Sequence, residues 1–175
     1  FSATAYAESK PVKIARIPII FQSTIPDKET CAELETKLER AIHIPLNGTL
    51  QLAEYLNMEE SAQALNEIYQ SNFQDAMRPL AEKLDADIIV CPIIKQYSQY
   101  VSFYSGWSGD TIITAQVLVE LIVYDRRTDE LIDKKDSEFY HGDYTLRSTA
   151  AAMSKVCFDN VIGKTKLKER IRAVR

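Results

Sequence analysis

The sequence predicts an α/β fold of the α+β type: a mixed, mainly antiparallel sheet of four to five strands, with helices packed mainly on one face. Apolar and polar residues alternate over 111–124, which is the period of a strand with one buried face and indicates the centre of the sheet. Strand-like and helix-like segments alternate before it. A strand-like segment flanks it on each side, and a helical segment comes last. This order is typical of an antiparallel sheet joined to a helical layer.

Length and composition favour a single domain. The chain has 175 residues, and a chain of this size buries roughly 70% of its unfolded surface, enough for a core of its own. The net charge of -4 is divided unevenly, because residues 164–175 carry six cations and one anion, which leaves -9 on the rest. The three cysteines, Cys31, Cys91 and Cys157, form no C-x-x-C pair and lie on apolar faces, which favours core packing over redox chemistry.

The first residues have the features of the end of an export signal. Ala5-Tyr6-Ala7 is the small-x-small pattern that signal peptidase cuts, and polar residues follow it at once. We therefore expect residues 1–7 to be a signal-peptide remnant, residues 8–163 to form the domain, residues 164–175 to be a basic tail, and the protein to be periplasmic or secreted. The alternative is an ordinary Ala- and Ser-rich tail.

A strand and a helix are predicted next. The strand covers 12–21, and Pro18 inside it indicates a sheet edge or a bulge. Thr24 is the expected N-cap of the helix, since a proline and an acid follow in its first turn. The helix is expected to end before Pro45, with a short strand possible over 42–46. Its buried stripe is Cys31, Leu34, Leu38 and Ile42.

A second helical region begins at Asn57, the expected N-cap, with Glu60 reaching back to it. Apolar residues recur at helical spacing as far as Leu84. Pro79 is expected to kink this helix or to divide it in two.

Three strands are predicted after it. Residues 87–94 form a continuous apolar run, and the strand continues to 104 with polar and aromatic residues. Residues 105–110 connect it to the central strand, and residues 125–130 form a second turn. The strand over 131–140 is rich in Asp, Lys and Glu, the composition by which exposed edges avoid pairing with other chains.

The last predicted element is a helix from about Thr145, ended or bent by Gly163. Its expected apolar face is Leu146, Ala150, Met153, Val156, Cys157 and Val161. The basic tail that follows favours a solvated helix end, with weak membrane or anion contact as the alternative. The residues that would make this contact are Lys164, Lys166, Lys168, Arg170 and Arg172.

Several short motifs resemble one family. VKIARIPI over 12–19 resembles the opening strand of the periplasmic α/β domain that the curli-secretion lipoprotein family shares with the amino-terminal domain of the Tol translocation protein TolB. DADIIV over 85–90 is similar to the family's third strand, and residues 119–131 resemble its hairpin. The resemblance covers most of the chain in order. It implies an extracytoplasmic interaction domain of cell-envelope assemblies, with no active site to carry over.

The chain departs from this family at specific points. Arg16 and Ile19 replace apolar and aromatic residues of the first strand, and the lipid-bearing cysteine of the curli lipoprotein is missing. Asp129 stands where the family turn has glycine, and we expect it to adopt the left-handed conformation that glycine supplied.

The sequence gives little support for catalysis or metal binding. His141 and Asp143 form an H-x-D pair, but that motif is weak and no second histidine lies near it. GWSG over 106–109 is one residue short of the esterase G-x-S-x-G motif and precedes a strand, whereas that motif requires a helix. We therefore predict no catalytic residue, no metal and no cofactor.

Aromatic residues cluster around the predicted hairpin connection. Large apolar groups beside a turn are exposed unless a neighbour covers them, and aromatic residues dominate interface hot spots. We therefore expect these residues to contact a partner subunit or a saccharide, with cover of the open end of the sheet or of the C-terminal helix as the structural alternative. They are Tyr97, Tyr100, Phe103, Tyr104 and Trp107.

The sequence thus predicts a non-enzymatic interaction or assembly module of the bacterial cell envelope, with a protein partner or self-association, and with no nucleic acid and no transmembrane segment. The alternative is a small-molecule or saccharide binder or hydrolase whose site lies near the aromatic hairpin and His141. A deep pocket there would favour the alternative, and a flat apolar patch would favour assembly.

Overall fold

A computed structural model describes residues 10–43, 53–104 and 109–172. The strands within these ranges are β1 (Val12–Arg16), β2 (Ile20–Phe21), β3 (Ala53–Tyr55), β4 (Ile88–Phe103), β5 (Thr111–Asp125) and β6 (Glu130–Asp143). The α-helices are α1 (Lys28–Ile42), α2 (Met58–Ile68), α3 (Phe73–Leu84), α4 (Ala150–Thr165) and α5 (Leu167–Arg172), and a 3-10 turn, Leu146–Ser148, precedes α4. None of the described helices has the length and apolar character that crossing a membrane requires.

The described strands form one mixed sheet, which confirms the predicted fold class. It has six strands instead of the predicted four to five, because the first predicted strand is interrupted and gives both β1 and β2. Its order is β3-β1-β4-β5-β6, and β2 also pairs with β4. The pairings of β4 with β5 and of β5 with β6 are long and antiparallel, whereas β1, β2 and β3 form short parallel pairs. As predicted, the charged strand β6 lies at an edge.

The central position of β5 is confirmed. Its alternate apolar residues from Ile113 to Val123 are at most 1% exposed and face one core. On the opposite face Glu120 is also buried, and its carboxylate lies 3.3 Å from Lys135 Nζ and 3.8 Å from Lys95 Nζ. The strand therefore has one fully apolar face and one face that is covered over only part of its length.

Helices cover the two faces of the sheet unequally. The larger core cluster joins one face to α1, α4 and α5 through residues such as Leu34, Phe158 and Ile171. The smaller cluster joins the other face to α2 and α3 through residues such as Leu65 and Met77. The more extensive helical layer is thus on one face, as predicted, and a smaller layer covers part of the other.

Pro18 interrupts the first strand without placing it at an edge. β1 lies between β3 and β4, the chain leaves the strand after Arg16, and β2 resumes the pairing with β4. Proline has no backbone N–H to donate to a sheet ladder, so the interruption falls around it. Of the possible strand over 42–46, Ile42 belongs to α1, and the residues from 44 onward lie outside the described residues.

The N-cap of α1 is Asp27, so the prediction of Thr24 was wrong. The Asp27 carboxylate accepts hydrogen bonds from the Thr30 backbone N at 3.2 Å and from Thr30 Oγ1 at 2.5 Å. The side chain of Thr30 is buried there, and a carboxylate at the positive end of a helix is favourable. Asn57 is confirmed as the cap of α2, because its Oδ1 accepts from the N–H groups of Glu59 and Glu60, but the Glu60 side chain does not form the predicted bond back to Asn57.

The division between α2 and α3 lies before Pro79. α2 ends at Ile68, and Asn72 begins α3 by accepting a hydrogen bond from the Asp75 backbone N at 2.8 Å. Pro79 lies inside α3. Of the two effects predicted for Pro79, a kink or a division of the helix, the division was wrong, because the break falls before the capping residue Asn72.

The C-terminal part of the chain continues in helices. Gly163 does not end α4, which continues to Thr165, and the turn comes at Lys166 with φ 52°. Leu167 and Ile171 of α5 then enter the core. Two residues assigned to the apolar face of the last helix are exposed, because Leu146 precedes α4 and Val156 faces outward.

Candidate functional site

The strands β4, β5 and β6 extend to an end of the sheet where large apolar side chains are exposed. Phe103 and Tyr100 are 80% and 70% exposed, and Leu146 is 82% exposed. We call this the hairpin-end surface, and its residues are Tyr100, Phe103, Tyr104, Phe139, Tyr144 and Leu146. The structure thus brings together three of the aromatic residues that the sequence analysis selected and adds three others.

The strand register divides this surface between the two faces of the sheet. Tyr100 pairs with Thr114, which pairs with His141, so the three residues form one row across β4, β5 and β6. Phe139 lies on the same face, because its partner Gln116 is two residues from Thr114. This face is opposite to the one that the larger core covers, and Tyr100 and Phe139 are 70% and 64% exposed on it.

The other face of the hairpin end is joined to the helical layer. Phe103 pairs with Thr111, whose carbonyl accepts a hydrogen bond from the Tyr144 backbone N at 2.9 Å. Gln99 Oε1 accepts from the backbone N of Ala150 at 2.9 Å, so a side chain of β4 supplies a partner for the first turn of α4. These bonds hold Leu146 beside the end of the sheet.

Polar side chains fix the strands between the aromatic groups. Gln96 Nε2 donates to Gln116 Oε1 at 3.0 Å, and Thr114 Oγ1 lies 2.7 Å from His141 Nδ1. Gly142 leaves room for Tyr140, since a Cβ at this glycine would lie 3.1 Å from the tyrosine hydroxyl. The surface is therefore a braced sheet end, and its aromatic groups project from fixed positions.

Tyr97 and Trp107 differ from the other predicted contact residues. Tyr97 is half-buried against the larger core, and burial raises the pKa of its hydroxyl. Its backbone N donates to Ser23 Oγ at 3.3 Å, so the residue is held on the core side. Trp107 lies outside the described residues.

Sequence reasoning missed Phe139, Tyr144 and Leu146. Phe139 lies in a strand dominated by charged residues, and Leu146 fits the spacing of the helix that follows it. The available signal was the pairing of β6 with β5, which places Phe139 near Tyr100. The register of β5 and β6 can be assigned only when the length and type of the turn between them are known.

The cations of the predicted tail have different environments. Lys164 Nζ lies 2.9 Å from Asp136 Oδ1, and Arg170 donates to Glu130 Oε2 at 2.9 Å. Lys166, Lys168 and Arg172 are exposed, and no described residue forms an ion pair with them. The structure therefore separates two cations that pair with β6 from three that face solvent.

Three cavities formed by described residues lie away from the hairpin-end surface. One of about 330 Å³ lies between the β5–β6 turn and α5, and one of about 350 Å³ lies between that turn and α3. The third, of about 290 Å³, lies between α1, α4 and α5. Among the described residues, no three His, Cys, Asp or Glu side chains are grouped to hold a metal ion.

Comparisons with known proteins find similar structures only. No family model matches the chain, and no curated protein matches its sequence. A hypothetical protein of Chlamydia trachomatis is similar with a TM-score of 0.49 and 16% identity, over 89% of this chain and 96% of that chain. A lipoprotein of Neisseria meningitidis has a TM-score of 0.42 and 15% identity, over 89% and 99%. The PelC dodecamer of Paraburkholderia phytofirmans has a TM-score of 0.37 and 12% identity, over 93% and 92%.

Proposed function

We propose that this protein is a non-enzymatic interaction or assembly module of the bacterial cell envelope, which contacts a protein partner through the hairpin-end surface. The observation that carries the proposal is the collection of six exposed large apolar side chains at one end of a braced sheet. The envelope location rests on the export-signal pattern at Ala5-Tyr6-Ala7 and on the family resemblance of the sequence.

The size of the surface fits a protein interface. A large aromatic side chain buries roughly 150–250 Å² when it is covered, and a standard interface takes about 800 Å² from each partner. Five of the six residues are aromatic, and they lie on both faces of the sheet end, so a partner that covers the end from both faces buries on the order of one standard interface. Their fixed positions lower the entropy cost of docking, because strands and hydrogen bonds already order them.

The adjacent edge of the sheet is β6, whose carboxyl-terminal half carries Phe139. An edge strand presents backbone donors and acceptors to which another chain can pair, but the charged residues of β6 oppose such pairing. The aromatic groups, and not the strand edge, therefore carry the proposal.

The first test is self-association. We expect light scattering after size exclusion to show a dimer or a larger closed species at rising concentration. The double variant Tyr100→Ser, Phe139→Ser should weaken this association roughly ten-fold or more, as loss of hot-spot residues does. Leu131→Ser is the matched control, since Leu131 is 43% exposed and pairs with Tyr124 at the opposite end of the β5–β6 pairing.

A cross-linking measurement covers the case of a different partner. A photoreactive residue at position 100 should give one discrete cross-linked species in cells, and the same residue at position 131, at the opposite end of the β5–β6 pairing, should give none. A monomer at every concentration together with no discrete product at position 100 would contradict the proposal.

A second candidate is a saccharide or small-molecule binder, or a hydrolase, at the same surface. The observation that favours it is the row of Tyr100, Thr114 and His141, in which an aromatic ring lies beside hydrogen-bonding groups. Asp143 lies in the next row on this face. Chemical-shift changes at Tyr100 and His141 with a chito-oligosaccharide, abolished in His141→Ala, would favour this candidate over assembly.

A further inference from the structure

The cavity between α1, α4 and α5 is lined by an excess of cationic side chains from different helices. Lys37 and Arg40 come from α1, and Lys168 comes from α5. Asp159 and Glu169 are the acids that line it. Residues 131 positions apart in sequence therefore contribute to one cavity of about 290 Å³.

One of these cations is already paired. Lys37 Nζ lies 2.9 Å and 2.8 Å from the two carboxylate oxygens of Asp159. The side chains of Arg40 and Lys168 form no hydrogen bond or ion pair with any residue that the structure describes. Two cationic donors are thus available at the cavity, and Glu169 is the acid that opposes them.

The cavity is open at its α4 wall. Gly163 lines it, and a Cβ built on this glycine would have no atom within 4 Å. A helix interior usually carries a residue with a side chain, since glycine there costs about 1 kcal/mol relative to alanine. The glycine leaves space beside Arg40 and Lys168 that a bound group can occupy.

We propose that this cavity binds a phosphate group, carried by a small molecule or by a lipid headgroup. A guanidinium presents a planar fork of donors that matches phosphate oxygens, and an ammonium adds a second point charge from another direction. The dipole of α1 also stabilises a cation such as Arg40 in the last turn of that helix. It does not explain why Lys168 of α5 lines the same cavity. The site is independent of the hairpin-end surface and adds a ligand to the interaction module.

The test is titration of the full chain with glycerol 3-phosphate, followed by calorimetry and by amide chemical shifts. Arg40→Gln and Lys168→Gln should each weaken binding roughly ten-fold, the loss of one charge-assisted hydrogen bond. Glu169→Gln should strengthen it, because it removes the opposing charge. Gly163→Met should fill the cavity and abolish binding, whereas Gly163→Ala keeps most of the space.

Lys28→Gln is the matched control. It removes the same charge from α1, but Lys28 lies about 18 Å from Arg40 along the helix. Circular dichroism of every variant checks that the fold is retained. Equal weakening by Lys28→Gln and Arg40→Gln would overturn the proposal, since the effect would then be general charge.

Vesicles distinguish the two sources of the phosphate. Sedimentation with phosphatidylglycerol vesicles, compared with phosphatidylcholine vesicles, should depend on Arg40 and Lys168 if a lipid headgroup is the ligand. If glycerol 3-phosphate binds but vesicle binding does not depend on Arg40 and Lys168, the ligand is a soluble phosphate compound. No binding of either probe would overturn the proposal.

Discussion

Asp129 shows how a single residue fixes a turn of this fold. Its backbone is left-handed, with φ 54°, which confirms the expectation that it replaces a turn glycine. Its carboxylate also accepts hydrogen bonds from Tyr124 and from Arg78, each at 2.7 Å. The side chain therefore joins the β5–β6 turn to α3, which glycine at this position cannot do.

Asp129→Asn should destabilise the protein at neutral pH, and the difference should shrink in acid. The hydrogen bond from Tyr124 and the charge-assisted bond from Arg78 lower the pKa of the Asp129 carboxyl. A lowered folded-state pKa contributes stability above the unfolded pKa, and this stability is lost as the pH falls through the folded value. Urea midpoints of the two proteins at neutral and at acidic pH measure the difference.

Asp129→Gly is the control for backbone strain, because glycine accepts the positive φ without a side chain. The difference in urea midpoint between Asp129→Gly and the unsubstituted protein should shrink in acid, as it does for Asp129→Asn. A gap between Asp129→Asn and the unsubstituted protein that stays constant down to acidic pH would contradict the role of the charge.

Arg16 shows how a residue that departs from the family pattern is accommodated. It is only 6% exposed, and its guanidinium forms ion pairs with Glu35 and Glu39 of α1. These two acids are four residues apart and so lie on one face of the helix. The buried charge is thus paired by an element whose sequence carries the matching acids.

At the scale of elements, the start of α3 depends on Asn72. Its side chain accepts from the Asp75 backbone N and also donates to the Asp75 carboxylate at 2.8 Å. Pro79 lies one turn further on, on the exposed side of the helix, and lacks the N–H that would bond to the Asp75 carbonyl.

We expect Asn72→Ala to lower the free energy of unfolding by about 1 kcal/mol, the usual cost of losing an N-cap. Pro79→Ala should leave stability unchanged or raise it, because alanine restores a helical hydrogen bond. Thermal unfolding of both variants measures this contrast. Greater destabilisation by Pro79→Ala than by Asn72→Ala would show that proline, not the cap, defines the break.

A strand or helix was predictable where the residues that determine it lie close together in the sequence. The alternation in β5 and the charged pattern of β6 each reflect which face a strand buries, so both strands were predicted correctly. Helix starts were less predictable, because several polar residues compete as caps. Thr24 and Asp27 both fit the pattern, and the partner Thr30 decides between them.

At the scale of the whole molecule, the reactivity of the three cysteine thiols measures how far the core opens. Burial raises the pKa of the Cys91 thiol to about 12, and it raises that of Cys157 to about 12 as well. Cys31 is half-buried, and burial also raises its pKa. Thiolate is the reactive form, so the two core thiols are protected by both burial and protonation.

A thiol reagent such as Ellman's reagent should therefore modify Cys31 alone in the native protein, and Cys91 and Cys157 only as the chain unfolds. The rate for Cys31 should be below that of a free cysteine at the same pH. Cys31→Ser is the control, and it should leave no fast reaction. Rapid modification of a second thiol would show that one of the two cores opens locally.

The candidate site was predictable only in part, since exposure and convergence depend on the complete fold. Tyr100, Phe103 and Tyr104 were found because aromatic residues are dense near one turn. Of the proposed phosphate site, only Lys168 was selected, as one of the tail cations for weak anion contact, since Arg40 is distant in sequence and meets it only when α5 packs against α1. No periodicity within either segment indicates this contact.

The mixed sheet has a consequence for the order in which the chain folds during synthesis. The β5–β6 turn closes over four residues, whereas pairing β1 with β4 joins residues about 74 apart. The longer closure costs about 2–3 kcal/mol more in chain entropy. β1 leaves the ribosome first and its partner β3 follows before β4, but neither strand joins the rest of the sheet until β4 has been made. The three antiparallel strands then form the template on which the amino-terminal half is completed.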